Sequence, residues 1–159
     1  MIDQVLASLS RRSDLYRRVR ADAVEGVYIY GAGFVGGWSI NYLEGLGIPV
    51  IGFIDSNPKK WGSFVSGKQV FSVDDPKVRS AKVILIGSRH AVLSIERALA
   101  HLPALIISVD AFVVHQYGKE EIDRLEALFS HDQQSVNVLC AVLLSMLEGN
   151  TKPLHESAD

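Results

Sequence analysis

The apolar positions of residues 2–22 fall on one helical face. Ile2, Val5, Leu6 and Leu9 recur at helical spacing, and Leu15 and Val19 carry the stripe past a polar middle. The pattern then changes period. Val27-Tyr28-Ile29-Tyr30 is an unbroken apolar run of β-branched and aromatic residues closed by a glycine, which predicts a buried strand. Residues 34–46 predict a helix, stopped by Gly45 and Gly47 with Pro49 just beyond. Apolar runs at 50–54, 70–73, 83–86 and 105–109 predict four further strands. Between them lie a loop at 59–68, a one- or two-turn helix around Pro76 and a helix over 91–101. Helices are predicted over 118–129 and 132–148, the second opened by Ser130-His131-Asp132-Gln133 at capping-box spacing.

Strands that are apolar throughout and alternate with helices imply a parallel sheet covered on both faces. The expected fold is α/β, a three-layer Rossmann-like domain with a five-stranded parallel sheet in the order 3-2-1-4-5 and extra N- and C-terminal helices. The chain then divides into an N-terminal helix (1–22), the Rossmann-like domain (23–130), a C-terminal helix (131–149) and a polar tail (150–159) expected to be disordered.

The first strand runs straight into Gly31-Ala32-Gly33-Phe34-Val35-Gly36, and a helix opens inside that motif. Gly31 permits the tight turn, Gly33 lets a pyrophosphate approach the backbone, and Gly36 lets helix and strand pack closely. The free N–H groups of the first helical turn, including those of Phe34 and Val35, then face an anion with the helix dipole behind them. A lone GxGxxG says little. This one has strand before, helix after, and Asp55 at the end of the next strand, about 20 residues on. Asp55 is positioned to accept both hydroxyls of a ribose and to repel a 2′-phosphate, with Lys59 and Lys60 nearby working against the repulsion. Ser56 and Lys59 complete that corner, and Gly87, Ser88 and Arg89 face it from beyond the fourth strand, across the switch point. The plainer alternatives are that the glycines only permit the turn, Asp55 only caps a loop, and Ser88 only caps the helix that follows.

Composition narrows the partners. Apolar residues make up 48% of the 159 and charged residues 21%, with a net charge of −2. This provides no basic field for nucleic acid or an anionic membrane. The arginines at 11–12 and 17–20 read as a solvated helix face. No segment is apolar over enough length to span a bilayer and no signal-peptide core is present, so a cytoplasmic location is expected. Cys140, the only cysteine, sits in an apolar helical run and reads as a buried, inert thiol. The histidines lack metal-ligand spacing, so no metal site is expected. In the last helix Val136, Leu139, Cys140, Leu143 and Leu147 form one stripe, and Val138, Val142 and Met146 widen it. This predicts a docking surface, a second copy of the chain being the simplest partner, unless the N-terminal helix covers both faces within one chain.

Tyr30-Gly31-Ala32-Gly33, the stretch from Gly47 to Gly62 through Asp55-Ser56-Asn57-Pro58-Lys59-Lys60-Trp61, and Gly67-Lys68-Gln69-Val70 resemble a recurring Rossmann module. It occurs at the N-terminus of PglD-like sugar acyltransferases, in nucleotide-sugar dehydratases, and ahead of FkbM-type methyltransferases. Residues 128–135 and 147–150 resemble the helical linker before such methyltransferases. The resemblance implies a nucleotide-binding module of bacterial polysaccharide metabolism, its ligand a nucleotide sugar or NAD(H), with no catalytic activity of its own expected. The alternatives are an NAD-dependent oxidoreductase, which lacks an evident acid or base, and a nucleotide-sensing regulatory domain.

Overall fold

A computed structural model describes residues 1–156. It is an α/β fold with seven α-helices and a six-stranded, mostly parallel sheet among those residues. In chain order the elements are α1 (Ile2–Asp22), β1 (Val27–Tyr30), α2 (Phe34–Gly45), β2 (Val50–Ile54), β3 (Phe64–Val65), β4 (Lys68–Phe71) and α3 (Pro76–Arg79). β5 (Val83–Ile86), α4 (Val92–Leu99), β6 (Leu105–Ser108), α5 (Val109–Phe129), α6 (Gln133–Glu148) and α7 (Lys152–Glu156) follow.

The sheet order is β3-β4-β2-β1-β5-β6. The five parallel strands are joined by a sixth, β3, which pairs antiparallel with β4 at the edge. This corrects the expected count of five and the loop assigned to 59–68. The missed signal is Ser66-Gly67, both at positive φ (48° and 76°), a two-residue hairpin turn between Val65 and Lys68. β4 also starts two residues earlier than the apolar run, because Lys68 and Gln69 take strand geometry at the edge without being apolar.

Burial follows from the strand period of two. Ile29, Phe53, Leu85 and Ile107 face one side, where Val19 of α1, Leu43 of α2 and Phe112 of α5 close over them. Tyr28, Ile54, Phe71 and Ile84 face the other side, covered by Val78 of α3 and Leu99 of α4. Each fully buried large side chain contributes roughly 1.5–3 kcal/mol, so the two layers hold the C-terminal ends of β1, β2 and β5 in fixed register.

A separate apolar cluster lies beyond the sheet. Val5 of α1, Ile122 of α5, and Val136, Cys140, Leu143 and Leu147 of α6 are buried together. The stripe read from α6 is thus covered by α1 and α5, while Val138 and Val142 stay on the outer surface at 45% and 39% exposure. Burial raises the Cys140 thiol pKa, keeping it protonated. Arg11 and Arg12 reach Glu148 of α6 and Glu96 of α4, so these arginines tie elements together rather than forming only a solvated face. No helix among the described residues is long and apolar enough to cross a membrane.

Helix ends supply most of the corrections. The helix predicted from residue 118 begins at Val109, where the Ser108 side chain accepts from the Ala111 N–H. Gly118 (φ 71°) is instead a non-helical break within α5. The α6 cap is Asp132, which accepts from the Gln134 N–H and the Ser135 hydroxyl, while Ser130 donates to the Ala127 carbonyl at the end of α5. The expected capping box is therefore absent. Ser88 does not cap α4, whose N-cap is Ala91. The tail expected to be disordered forms α7 at Lys152–Glu156, and its remainder, 157–159, lies outside the described residues.

The seam between α1 and α5 holds one ionisable group that burial keeps neutral. His115 stacks on Tyr16 with ring centroids 5.0 Å apart, and its Nε2 is buried with no hydrogen-bond partner. Burial, helped by the Arg12 guanidinium, pushes its pKa down to about 4 from 6.5. Between those values the unfolded chain takes up a proton that the native state refuses, so stability is full above pH 6.5 and falls as the pH drops toward 4. Urea unfolding at pH 7 and pH 4.5 should show a stability loss in the parent that exceeds the loss in His115→Phe by about 2 kcal/mol. Equal losses would contradict this assignment.

Candidate functional site

β1 ends inside the sheet, between β2 and β5, with Val27 to Ile29 buried and Tyr30 partly buried. The chain must then reverse into α2 within a few residues. It does so by passing Gly31 at φ 105°, a conformation that side-chain-bearing residues rarely adopt. The Gly31 N–H is held by the Ile54 carbonyl at 2.7 Å and the Gly87 N–H by the Tyr30 carbonyl at 2.8 Å. The turn is therefore pinned to both neighbouring strands.

Gly36 completes the crossing. A Cβ built there would lie 2.3 Å from the Gly31 carbonyl oxygen and 2.9 Å from the Phe53 ring. A Cβ on Gly87 would lie 3.2 Å from the Gly36 Cα. Backbone therefore meets backbone at Gly36, and more loosely at Gly87, which together with the positive φ of Gly31 accounts for these three glycines without any ligand.

Gly33 is different. Its φ of −126° suits any residue, and a Cβ there meets nothing within 4 Å. It is the N-cap of α2, and no side chain caps that helix. The N–H groups of the first turn, at Phe34 and Val35, thus open on a bare exposed backbone. Phe34 projects outward at 90% exposure, whereas Ala32 is buried.

Asp55, at the C-terminal end of β2, is buried beside this turn, and its carboxylate is nearly saturated by the chain itself. Oδ1 accepts from the Asn57 N–H at 2.9 Å; Oδ2 accepts from the Ala32 N–H at 3.0 Å and from Lys60 Nζ at 2.8 Å. Burial alone would raise its pKa, but these donors outweigh that and hold it below the usual carboxylate value. Lys60 Nζ also donates to the Ala32 carbonyl at 3.2 Å, and Trp61 Nε1 to the Asp55 carbonyl at 2.7 Å.

The residues read from the sequence separate accordingly. Gly31, Ala32, Gly33, Gly36, Asp55 and Gly87 meet at the ends of β1, β2 and β5. The side chains of Ser56 and Lys59 lie exposed on the loop beyond β2. Lys60, not Lys59, reaches the turn. The cause is the one-turn 3-10 helix at Pro58–Lys60, capped by Asn57, whose three-residue period returns Lys60 over the start of the loop. The sequence places Lys60 near Asp55 without assigning it a contact and assigns Trp61 no role at the turn; the Asn-Pro pair that opens the helix is the signal for both. Arg89 is engaged by Asp110 of α5, through Nε at 2.9 Å and Nη2 at 3.4 Å, and Ser88 is half-buried.

No protein-family model matches the chain, and no curated protein matches it. What the site can hold follows from its own geometry. That geometry separates two glycines of the turn by what the fold requires of them. In urea unfolding, Gly36→Ala should lose about 3 kcal/mol or more, since a new methyl meets backbone that cannot retreat. Gly33→Ala should lose less than about 1 kcal/mol, the scale of a changed N-cap. Comparable losses would contradict the distinction.

Proposed function

We propose that this protein is a nucleotide-binding module of Rossmann-like, three-layer architecture, holding a diphosphate against residues 31–36. The observation that carries the reading is Gly33. The crossing of strand and helix accounts for every other glycine of the turn, whereas Gly33 has open space where a side chain would stand. A backbone left bare at an uncapped helix N-terminus suits the close approach of a phosphate. The turn's position, after the central strand of a parallel sheet and beside the switch between β1 and β5, supports the same reading.

The ligand class proposed is a nucleotide sugar or an NAD-like dinucleotide. The resemblance in the glycine turn and in the loop beyond β2 supports a place in bacterial glycan metabolism, as a binding module that serves a partner such as a methyltransferase. Phosphates would meet the N–H groups around Gly33, Phe34 and Val35. Asp55 would hold the far wall of the site in place.

Calorimetric titration with NAD, NADP and UDP-sugars tests the phosphate assignment. One of these should bind the parent, and Gly33→Val should lose that binding at least tenfold while retaining a cooperative melt. The β-branched side chain suits the extended backbone there yet fills the phosphate space. A folded Gly33→Val protein with unchanged affinity would remove the phosphates from this turn.

A further inference from the structure

We infer that Lys60 reads the ribose end of the ligand and that the ligand carries a phosphate on that ribose, an inference that rests on the nucleotide-binding reading above. An acid at the end of the second strand suits a bare ribose when its two oxygens are free to accept the two hydroxyls. Asp55 does not offer that. Oδ2 has both lone pairs committed, to the Ala32 N–H and to Lys60, and Oδ1 has one committed to the Asn57 N–H. One acceptor position remains where a diol needs two.

The group that faces outward is cationic instead. An ammonium has three protons. Lys60 gives one to Asp55 Oδ2 and one to the Ala32 carbonyl, which leaves the third for a ligand. The Lys60 side chain is 41% exposed, against 10% for Asp55, so of the two it is the more open to an approaching ligand. Asp55 and the Ala32 carbonyl together fix Nζ beside the glycine turn, which makes Asp55 a positioning residue for Lys60. The carboxylate charge that would repel a ribose phosphate is neutralised at 2.8 Å. A phosphate on the 2′- or 3′-hydroxyl supplies the acceptor that this third proton lacks, and a plain diol supplies only a weak one.

The pair NAD and NADP differs only by that phosphate, and calorimetry on the full chain at low salt compares them directly. NADP should bind about tenfold or more tightly than NAD, the scale of one hydrogen bond between charged groups. Lys60→Met should abolish or reverse the preference, because it frees an Asp55 Oδ2 acceptor for the diol and unmasks the carboxylate charge, and Lys60→Arg should keep the preference. Circular dichroism melts of both variants establish that each is folded. NAD binding as tightly as NADP would overturn the inference while leaving the nucleotide site standing. Equal weakening of both ligands by Lys60→Met would also overturn it, since Lys60 would then touch the shared diphosphate. Binding of a UDP-sugar with neither NAD nor NADP would overturn the inference and leave the nucleotide reading standing, whereas failure of all three to bind would overturn both.

Discussion

The structure depends on a crossing at which backbone touches backbone. β1 must leave the sheet and re-enter as α2 inside the space of one turn, and the helix must pass close enough to bury its own flank. That brings the Gly36 Cα position against the Gly31 carbonyl and the Gly87 backbone, with room for hydrogen alone. Larger residues would push α2 outward, opening the packing of Ile40 and Leu43 over Ile29 and Phe53. The same closeness aims the first turn of α2 along the sheet's C-terminal edge. A constraint of packing thereby yields a row of unpaired N–H groups at a defined place.

A second tie stands beside it. Asp55 joins the end of β2 to the turn through the Ala32 N–H, and Trp61 and Lys60 fold the following loop back over the carboxylate and its own carbonyl. The carboxylate is buried but not isolated, since each oxygen accepts from the chain. Removing its partners one by one would leave a buried charge that costs more than the bonds themselves contribute. Loop and turn are therefore coupled mechanically, and a ligand lying on the turn would meet a wall built from the loop. On the far side of the sheet midline, the Arg89–Asp110 pair anchors the segment after β5 to the first turn of α5.

Where burial is complete on both sides, sequence and structure agree closely. β1, β2 and β5 are legible because parallel central strands contain little but apolar residues, and the glycine turn is legible because its spacing has one economical geometry. The edge is less legible. β3 is two residues long and pairs through a Ser-Gly hairpin, and β4 begins in Lys68-Gln69, since edge positions tolerate polar side chains. Helix ends were misplaced where two caps compete. Ser130 and Asp132 both fit the pattern, and the geometry gives the cap to Asp132 and lets Ser130 close the preceding helix. Lys59 and Lys60 could not be ranked by sequence, because the choice turns on the three-residue period of a helix that only its Asn57 cap announces. The neutral His115 was invisible for a related reason, as its seam forms from residues about a hundred positions apart in the chain, a long-range contact that no local period encodes.

Phosphates are proposed to bind the bare N–H groups at the start of α2. Backbone amide chemical shifts, followed during titration with ADP or UDP, test this most directly. The largest changes should fall on Gly33, Phe34 and Val35, with smaller ones at Ala32 and Lys60. The contradicting result is a turn whose shifts do not move, with changes gathered instead in the groove between α1, α6 and α7 that Gln4, Arg11 and Glu148 line.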